Sequence, residues 1–152
     1  MLELPHTLVG AAIATAIPNP IVALPLCLAV HFASDYIPHW NPHLHTEKHN
    51  GGITSKTYFI MGADSGAALL IGTYIALTRG VNLTHTAVIL AACFLSVAPD
   101  ILEIPYYLFD MHIPWVKKLI GWQRAHQWNV KPVWGILAQL GVVIAALAVI
   151  YR

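Results

Sequence analysis

Histidines and carboxylates recur in this sequence inside or beside apolar stretches, at spacings that bring pairs of them onto one helix face. His31 and Asp35 are four residues apart, and Asp100 and Glu103 are three apart, so each pair can present two ligands to one point. Imidazole nitrogen and carboxylate oxygen suit Zn²⁺, Mn²⁺ or Fe, and a set without thiolate argues against a closed structural zinc site. These residues therefore predict an open divalent-metal site, with zinc as the first candidate.

The cost of burying charge also indicates a functional cluster. An ionisable group in the apolar slab of a membrane costs at least about 2.5–3.5 kcal/mol on insertion scales, so it is rarely retained without a partner, a cavity or a function. Asp64, within Met-Gly-Ala-Asp-Ser-Gly-Ala, is the clearest case. Gly10, one turn after His6, leaves room for another helix or a ligand, although ordinary small-residue helix packing explains it equally well.

The composition indicates that water is not the main solvent of this chain. Hydrophobic residues make up 57% and charged residues 10%, with a mean hydropathy of +0.63, whereas soluble domains carry about 25% charged residues. The net charge is +1, and the Lys and Arg residues are scattered along the chain. This excludes the basic stripe of a nucleic-acid-binding protein. The length of 152 residues predicts a single membrane-embedded domain spanning residues 1–152.

Apolar stretches predict about five hydrophobic helices and thus an all-α integral membrane protein. They cover residues 4–17, 20–37, 58–78, 84–99 and 132–151. The third and fifth match the roughly 30 Å hydrocarbon core, whereas the first two are shorter and form a hairpin that partly or fully crosses it. Residues 101–120 mix apolar and charged residues beside tryptophans, which predicts an interfacial segment.

Basic residues give the predicted orientation. The loops on one side carry six, and the opposite side carries two: Lys48, Lys56, Lys117, Lys118, Arg124 and Lys131 against Arg79 and Arg152. By the positive-inside rule, this asymmetry predicts a multi-pass protein of the inner cell membrane whose amino terminus and long loops are cytoplasmic.

Ionisable residues from distant segments fall on that same predicted cytoplasmic side, which makes a shared site the economical explanation. They are His6, His31, Asp35, Asp64, Asp100, Glu103 and His126. His39, one turn past Asp35, is the loop histidine that we expect to join them. The other loop histidines, His43, His45 and His49, are expected to be solvated, and His85, Asp110 and His112 to be surface groups.

Several of these segments resemble one family over most of the chain. They are Pro5-His6-Thr-Leu-Val-Gly10, residues 31–40, Pro99-Asp100 and residues 124–127. They resemble the small bacterial membrane-bound proteins called metal-dependent hydrolases, a family distantly similar to zinc-dependent phospholipase C. That enzyme is all-helical and holds its metals with His, Asp and Glu, including His-x-x-x-Asp and His-x-x-x-Glu pairs.

The resemblance implies that His6, His31, Asp35, Asp100 and His126 are metal-site residues. His31-x-x-x-Asp35 matches the first type of pair. The second type is missing, and Asp100-x-x-Glu103 is its nearest substitute, which leaves the number of metals open.

We therefore predict a metal-dependent hydrolase that cleaves a phosphoester of a lipid or other amphiphile at the cytoplasmic membrane face. A metal with an open position lowers the pKa of its water towards 7 and polarises a phosphoryl oxygen. Asp64 or Glu103 would act as base or additional ligand, and Arg124 would meet phosphate charge. The alternatives are a non-catalytic scaffold or assembly protein and a metal or proton carrier, and the oligomeric state stays open.

Overall fold

The computed structural model describes all 152 residues and is entirely helical apart from connecting segments. Its helices are α1 Glu3–Ala16, α2 Pro20–Ser34, α3 Leu44–His49, α4 Ser55–Arg79, α5 Leu83–Leu95, α6 Ala98–Ile101, α7 Ile104–Phe109, α8 Pro114–His126 and α9 Pro132–Ile150. The all-α prediction is thereby confirmed.

Helix α1 lies at the centre of the bundle, although it has only 14 residues. It packs against α2, α4, α5 and α9, and its small residues allow this because they let neighbouring backbones approach closely. At Gly10 a Cβ atom would lie 2.6 Å from the carbonyl oxygen of Ala92 and 2.9 Å from Cβ of Ser96. Close packing of α1 on α5 therefore explains Gly10.

Two helices are long and apolar enough to cross a membrane, α4 and α9. A third span is formed if α5 and the segment Ala98–Phe109, which meet at a bend of 54°, count as one. The prediction of two full-length spans is confirmed, whereas the count of about five hydrophobic helices is not. Leu69 and Leu70 of α4 and Ile144 of α9 are largely exposed, as expected of lipid-facing side chains.

The predicted interfacial segment, residues 101–120, contains the end of α6, all of α7 and the first half of α8. Helix α8 buries Val116, Ile120 and Gln123 on one face, while Trp115 and Trp122 are exposed. This amphipathic arrangement is typical of a helix that lies along a membrane surface.

His85 corrects one expectation, since it is not a surface group. Its side chain is buried, with Nε2 3.1 Å from the Ala14 carbonyl oxygen and Nδ1 accepting the Val81 N–H at 3.3 Å. The spacing of His85 gave no signal for this role because both partners are main-chain groups. Asp110 is exposed as expected, but it accepts a hydrogen bond from Lys48 at 2.7 Å.

Candidate metal centre

Three of the predicted metal residues meet at one end of the bundle. His6 comes from the first turns of α1, His31 from the end of α2, and Asp100 from α6, which follows the bend. The two imidazole rings are buried and stack with centroids 4.2 Å apart. One ligand atom from each of these residues lies within 4.8 Å of the others, so the three can share one metal ion.

Main-chain carbonyls fix the tautomers of two histidines. His31 Nδ1 lies 2.7 Å from the carbonyl oxygen of Ser96, and His39 Nδ1 lies 2.8 Å from that of Ile37. A carbonyl oxygen can only accept, so Nδ1 carries the hydrogen in both rings. In the neutral imidazole, Nε2 is then an unprotonated acceptor, which is the form that binds metal.

The same assignment follows for His6 from a hydroxyl group. The Ser34 hydroxyl donates its hydrogen to the His31 carbonyl oxygen at 2.8 Å, so it can only accept from His6 Nδ1 at 3.2 Å. Metal-binding histidines commonly donate their second ring N–H in this way. All three buried imidazoles thus present Nε2 as an acceptor. That of His6 accepts from the Met1 ammonium at 3.2 Å, that of His31 lies 3.5 Å from Gln123 Nε2, and only that of His39 has no hydrogen-bond partner.

Each of these Nε2 atoms faces a carboxylate. The distances are 3.7 Å from His31 to Asp100, and 3.3 Å and 3.9 Å from His6 and His39 to Asp35. Two ligands on one tetrahedral zinc lie about 3.3–3.4 Å apart, because each is about 2.0–2.1 Å from the ion. The pairs therefore have separations close to those of neighbouring metal ligands.

Asp35 does not pair with His31, which differs from the spacing-based expectation. It follows the last residue of α2 and turns to His6, to His39 and to the Met1 amino group, with which it forms a buried ion pair. Asp35 and His39 thus form a second cluster beside the His6, His31 and Asp100 group, and His6 lies between the two.

Gln123 is a site residue that the spacing arguments missed. Its Nε2 lies 2.9 Å from Asp100 Oδ1 and 3.5 Å from His31 Nε2, and its Oε1 is buried without a partner. His39 Nε2 is likewise buried without a hydrogen bond. Unpaired buried acceptors are costly, so these two atoms fit a site that binds a cation.

The position of His39 depends on its backbone contacts. The His39 N–H donates to the carbonyl oxygen of Trp128, and its own carbonyl accepts from Val130. Gly135 of α9 lies so close that a Cβ atom would be 2.6 Å from the His39 carbonyl carbon. Burial, aided by the Met1 ammonium, lowers the pKa of His39, which keeps this imidazole neutral.

Asp64 makes a structural contact, and it lines the same cavity as Asp100. Its carboxylate accepts the main-chain N–H groups of Glu3 at 2.6 Å and Leu4 at 3.3 Å. These donors belong to the first turn of α1, which has no intrahelical partners for them. Asp64 of α4 therefore caps α1 from a neighbouring helix.

The remaining predicted site residues, Glu103, Arg124 and His126, differ in whether they line the cavity that contains Asp100. Glu103 and Arg124 line the same cavity as Asp100, with a volume of about 670 Å³. His126 is not part of this lining. Its Nδ1 donates to the Trp122 carbonyl at 2.7 Å and its ring stacks on the Trp122 indole; it is not in the group whose ligand atoms lie within 4.8 Å of one another.

Comparisons of the chain with protein-family models, with curated proteins and with solved structures gave no match.

Proposed function

We propose that the protein is a membrane-embedded metal-dependent hydrolase that cleaves a phosphoester of a lipid or similar amphiphile at the cytoplasmic face of the inner membrane. The observation that supports this most strongly is the common orientation of His6, His31 and His39. Their Nδ1 atoms bind protein oxygens, and their Nε2 atoms face Asp35 and Asp100. A core built for packing alone does not require three imidazoles that share one tautomer and turn the same nitrogen towards carboxylates.

In this proposal His6, His31 and Asp100 hold a divalent metal, most simply Zn²⁺, with Asp35 and His39 available for a second ion. A bound metal supplies a Lewis acid that polarises a phosphoryl oxygen and makes water a nucleophile near neutral pH. Gln123 orients Asp100 through its 2.9 Å hydrogen bond. His126 is left out because it is not in the group of residues whose ligand atoms converge.

Two residues on the cavity wall have roles in the chemistry itself. Arg124 meets the negative charge of the phosphate, a task that suits its planar guanidinium. Glu103 takes a proton from the attacking water, and a proton returns to the oxygen that leaves when the ester P–O bond breaks. Asp64 is assigned to capping α1 and not to proton transfer.

A metal or proton carrier is less well supported. A carrier needs polar groups across the whole membrane, but the core beyond the site is apolar and includes Leu8, Ala11, Ile75, Ile89 and Ala92. His85 lies beyond this layer, where it binds the carbonyl oxygen of Ala14. The one-sided distribution favours a site that opens to one face.

The decisive experiment measures metal content and hydrolysis together. The protein is purified in detergent, and bound metals are determined by mass spectrometry for wild type, His31→Ala, Asp100→Ala and the control His112→Ala, whose side chain is exposed. We expect about one metal or more per chain, lost in the two site variants and kept in the control. Phosphoester hydrolysis should follow the metal content.

Two other outcomes contradict the proposal in different ways. Folded wild-type protein that binds no added Zn²⁺, Mn²⁺ or Fe²⁺ refutes the metal site. Bound metal without turnover on lipid or soluble phosphoesters refutes the hydrolase and favours the scaffold, in which the polar cluster ties short helices together.

A further inference from the structure

The cavity that Asp100 and Gln123 line continues well beyond these two residues, along α4 and α5. Its charged lining residues, Glu3, Asp64, Asp100, Glu103 and Arg124, are at the end that holds Asp100, which lies 3.7 Å from His31 Nε2. The residues that line its other end carry no charge. The cavity volume of about 670 Å³ falls in the range of small-molecule sites, about 300–1,000 Å³.

One face of α4 forms the first long wall. Lining residues recur three or four positions apart, from Met61 through Ser65 and Leu69 to Thr73. This is the period of a single helix face. At 1.5 Å per residue, the twelve steps from Met61 to Thr73 cover about 18 Å, so the cavity is elongated along a helix that is long enough to cross a membrane.

Helix α5 forms the second wall in the opposite chain direction. Leu90, Cys93 and Phe94 line the cavity and again share one helix face. The polar end of this wall is next to Asp100 and its apolar end is at Leu90, which matches the polarity of α4. We call the part of the cavity lined by Leu69, Gly72, Thr73, Leu90 and Phe94 the apolar groove.

The apolar groove is open on its outer side. Leu69 is 71% exposed and Phe94 is 57% exposed, and both lie on helices that are candidates for membrane spans. In a bilayer these side chains would face lipid. The groove is therefore reached from the hydrocarbon layer without passage through water.

We propose that the apolar groove binds one hydrocarbon chain of a phosphate-bearing membrane lipid, which enters sideways between α4 and α5 and places its phosphate at Arg124 and the metal centre. This inference rests on the proposed function for the identity of the headgroup. Charge segregation along the cavity supports it, because a charged end joined to an uncharged groove complements an amphiphile. The protein would thus bind its substrate in the membrane plane, with the ester bond at the polar end.

The first test compares two neighbouring tryptophan substitutions on α4. Leu69 lines the groove and Leu70 does not, yet both are more than 70% exposed, so neither change disturbs the core. Leu69→Trp should lower hydrolysis of a long-chain phosphatidylglycerol by about tenfold or more. The ratio of this activity to hydrolysis of bis-p-nitrophenyl phosphate should fall with it, whereas Leu70→Trp should resemble wild type in every assay and in metal content.

The second test does not depend on turnover. Protein in dodecyl maltoside micelles is irradiated with a phosphatidylglycerol that carries a diazirine in one acyl chain, and the adducts are mapped by mass spectrometry. Adducts on Leu90 and Phe94 that disappear in Leu69→Trp and persist in Leu70→Trp support the groove, even if no phosphoester is hydrolysed. Equal labelling in both variants, or adducts confined to outer residues such as Leu70 and Ile144, would overturn it.

Discussion

Replacement of Gly135 by alanine tests whether the contact between α9 and the His39 loop holds that histidine in place. The added Cβ would lie 2.6 Å from the His39 carbonyl carbon and 2.6 Å from Trp40 Cβ, whereas carbon atoms pack at about 3.5–4.0 Å. The loop must therefore move by about 1 Å. Overpacking of this kind costs about 1–3 kcal/mol, against a helix gain of about 0.5–1 kcal/mol from replacing glycine.

The control is Gly141→Ala in the same helix, since a Cβ there meets no atom within 4 Å. Thermal unfolding in detergent is measured with and without Zn²⁺. Gly135→Ala should melt below wild type and gain less from Zn²⁺, because a displaced His39 weakens binding and ligand stabilisation follows affinity. Gly141→Ala should match or exceed wild type. If both variants melt alike and respond alike to Zn²⁺, the loop contact does not position His39.

Three further outcomes are expected. Ser34→Ala removes the acceptor for His6 Nδ1 and should weaken metal affinity about 10–100-fold, measured by titration with a competing chelator. Unchanged affinity would contradict the tautomer assigned to His6. Asp64→Ala removes the cap of α1 and should lower the free energy of unfolding by about 0.5–2 kcal/mol without changing the metal content measured by mass spectrometry. Loss of turnover in an Asp64→Ala protein of normal stability would instead support the predicted catalytic role of Asp64. Hydrogen bonds from the Thr54 N–H and the Thr57 hydroxyl lower the pKa of Glu47 from 4.5. The stabilising effect of the Glu47 carboxylate is therefore complete above pH 4.5 and is lost as the pH falls through the lowered pKa. Melting temperatures at pH 7 and pH 4 should differ less for Glu47→Gln than for wild type, and an equal pH dependence would refute this.

The cost of charge in an apolar segment correctly indicated where polar groups would gather, but not which would pair. His31 and Asp35 share a spacing that suits one helix face, yet α2 ends at Ser34 and Asp35 turns towards α1. For Asp64 the same cost required a partner. The cost of burial could not show whether that partner is a metal ion or the unpaired N–H groups at the start of another helix, because either one stabilises a buried carboxylate.

Gln123 was missed because it carries no charge, although its position holds a signal. Val116, Ile120 and Gln123 fall on one face of α8, and a glutamine on an otherwise apolar face needs a buried partner. His85 gave no comparable signal, since its partners are main-chain groups of other segments. The number of membrane spans could not be predicted from the apolar stretches alone, because α1 is surrounded by other helices and need not be as long as a bilayer is thick.

The helix ends explain why the site forms where it does. The last carbonyls of a helix have no intrahelical partner, and Ser96 follows the last residue of α5 while Ile37 lies just past the end of α2. These are the carbonyls that accept the Nδ1 hydrogens of His31 and His39. A continuous helix through the bend at residues 96–97 would use the Ser96 carbonyl internally and leave His31 without its orienting acceptor. The bend in the third candidate span is therefore part of the candidate site, because it supplies the carbonyl group that fixes the hydrogen of His31 on Nδ1.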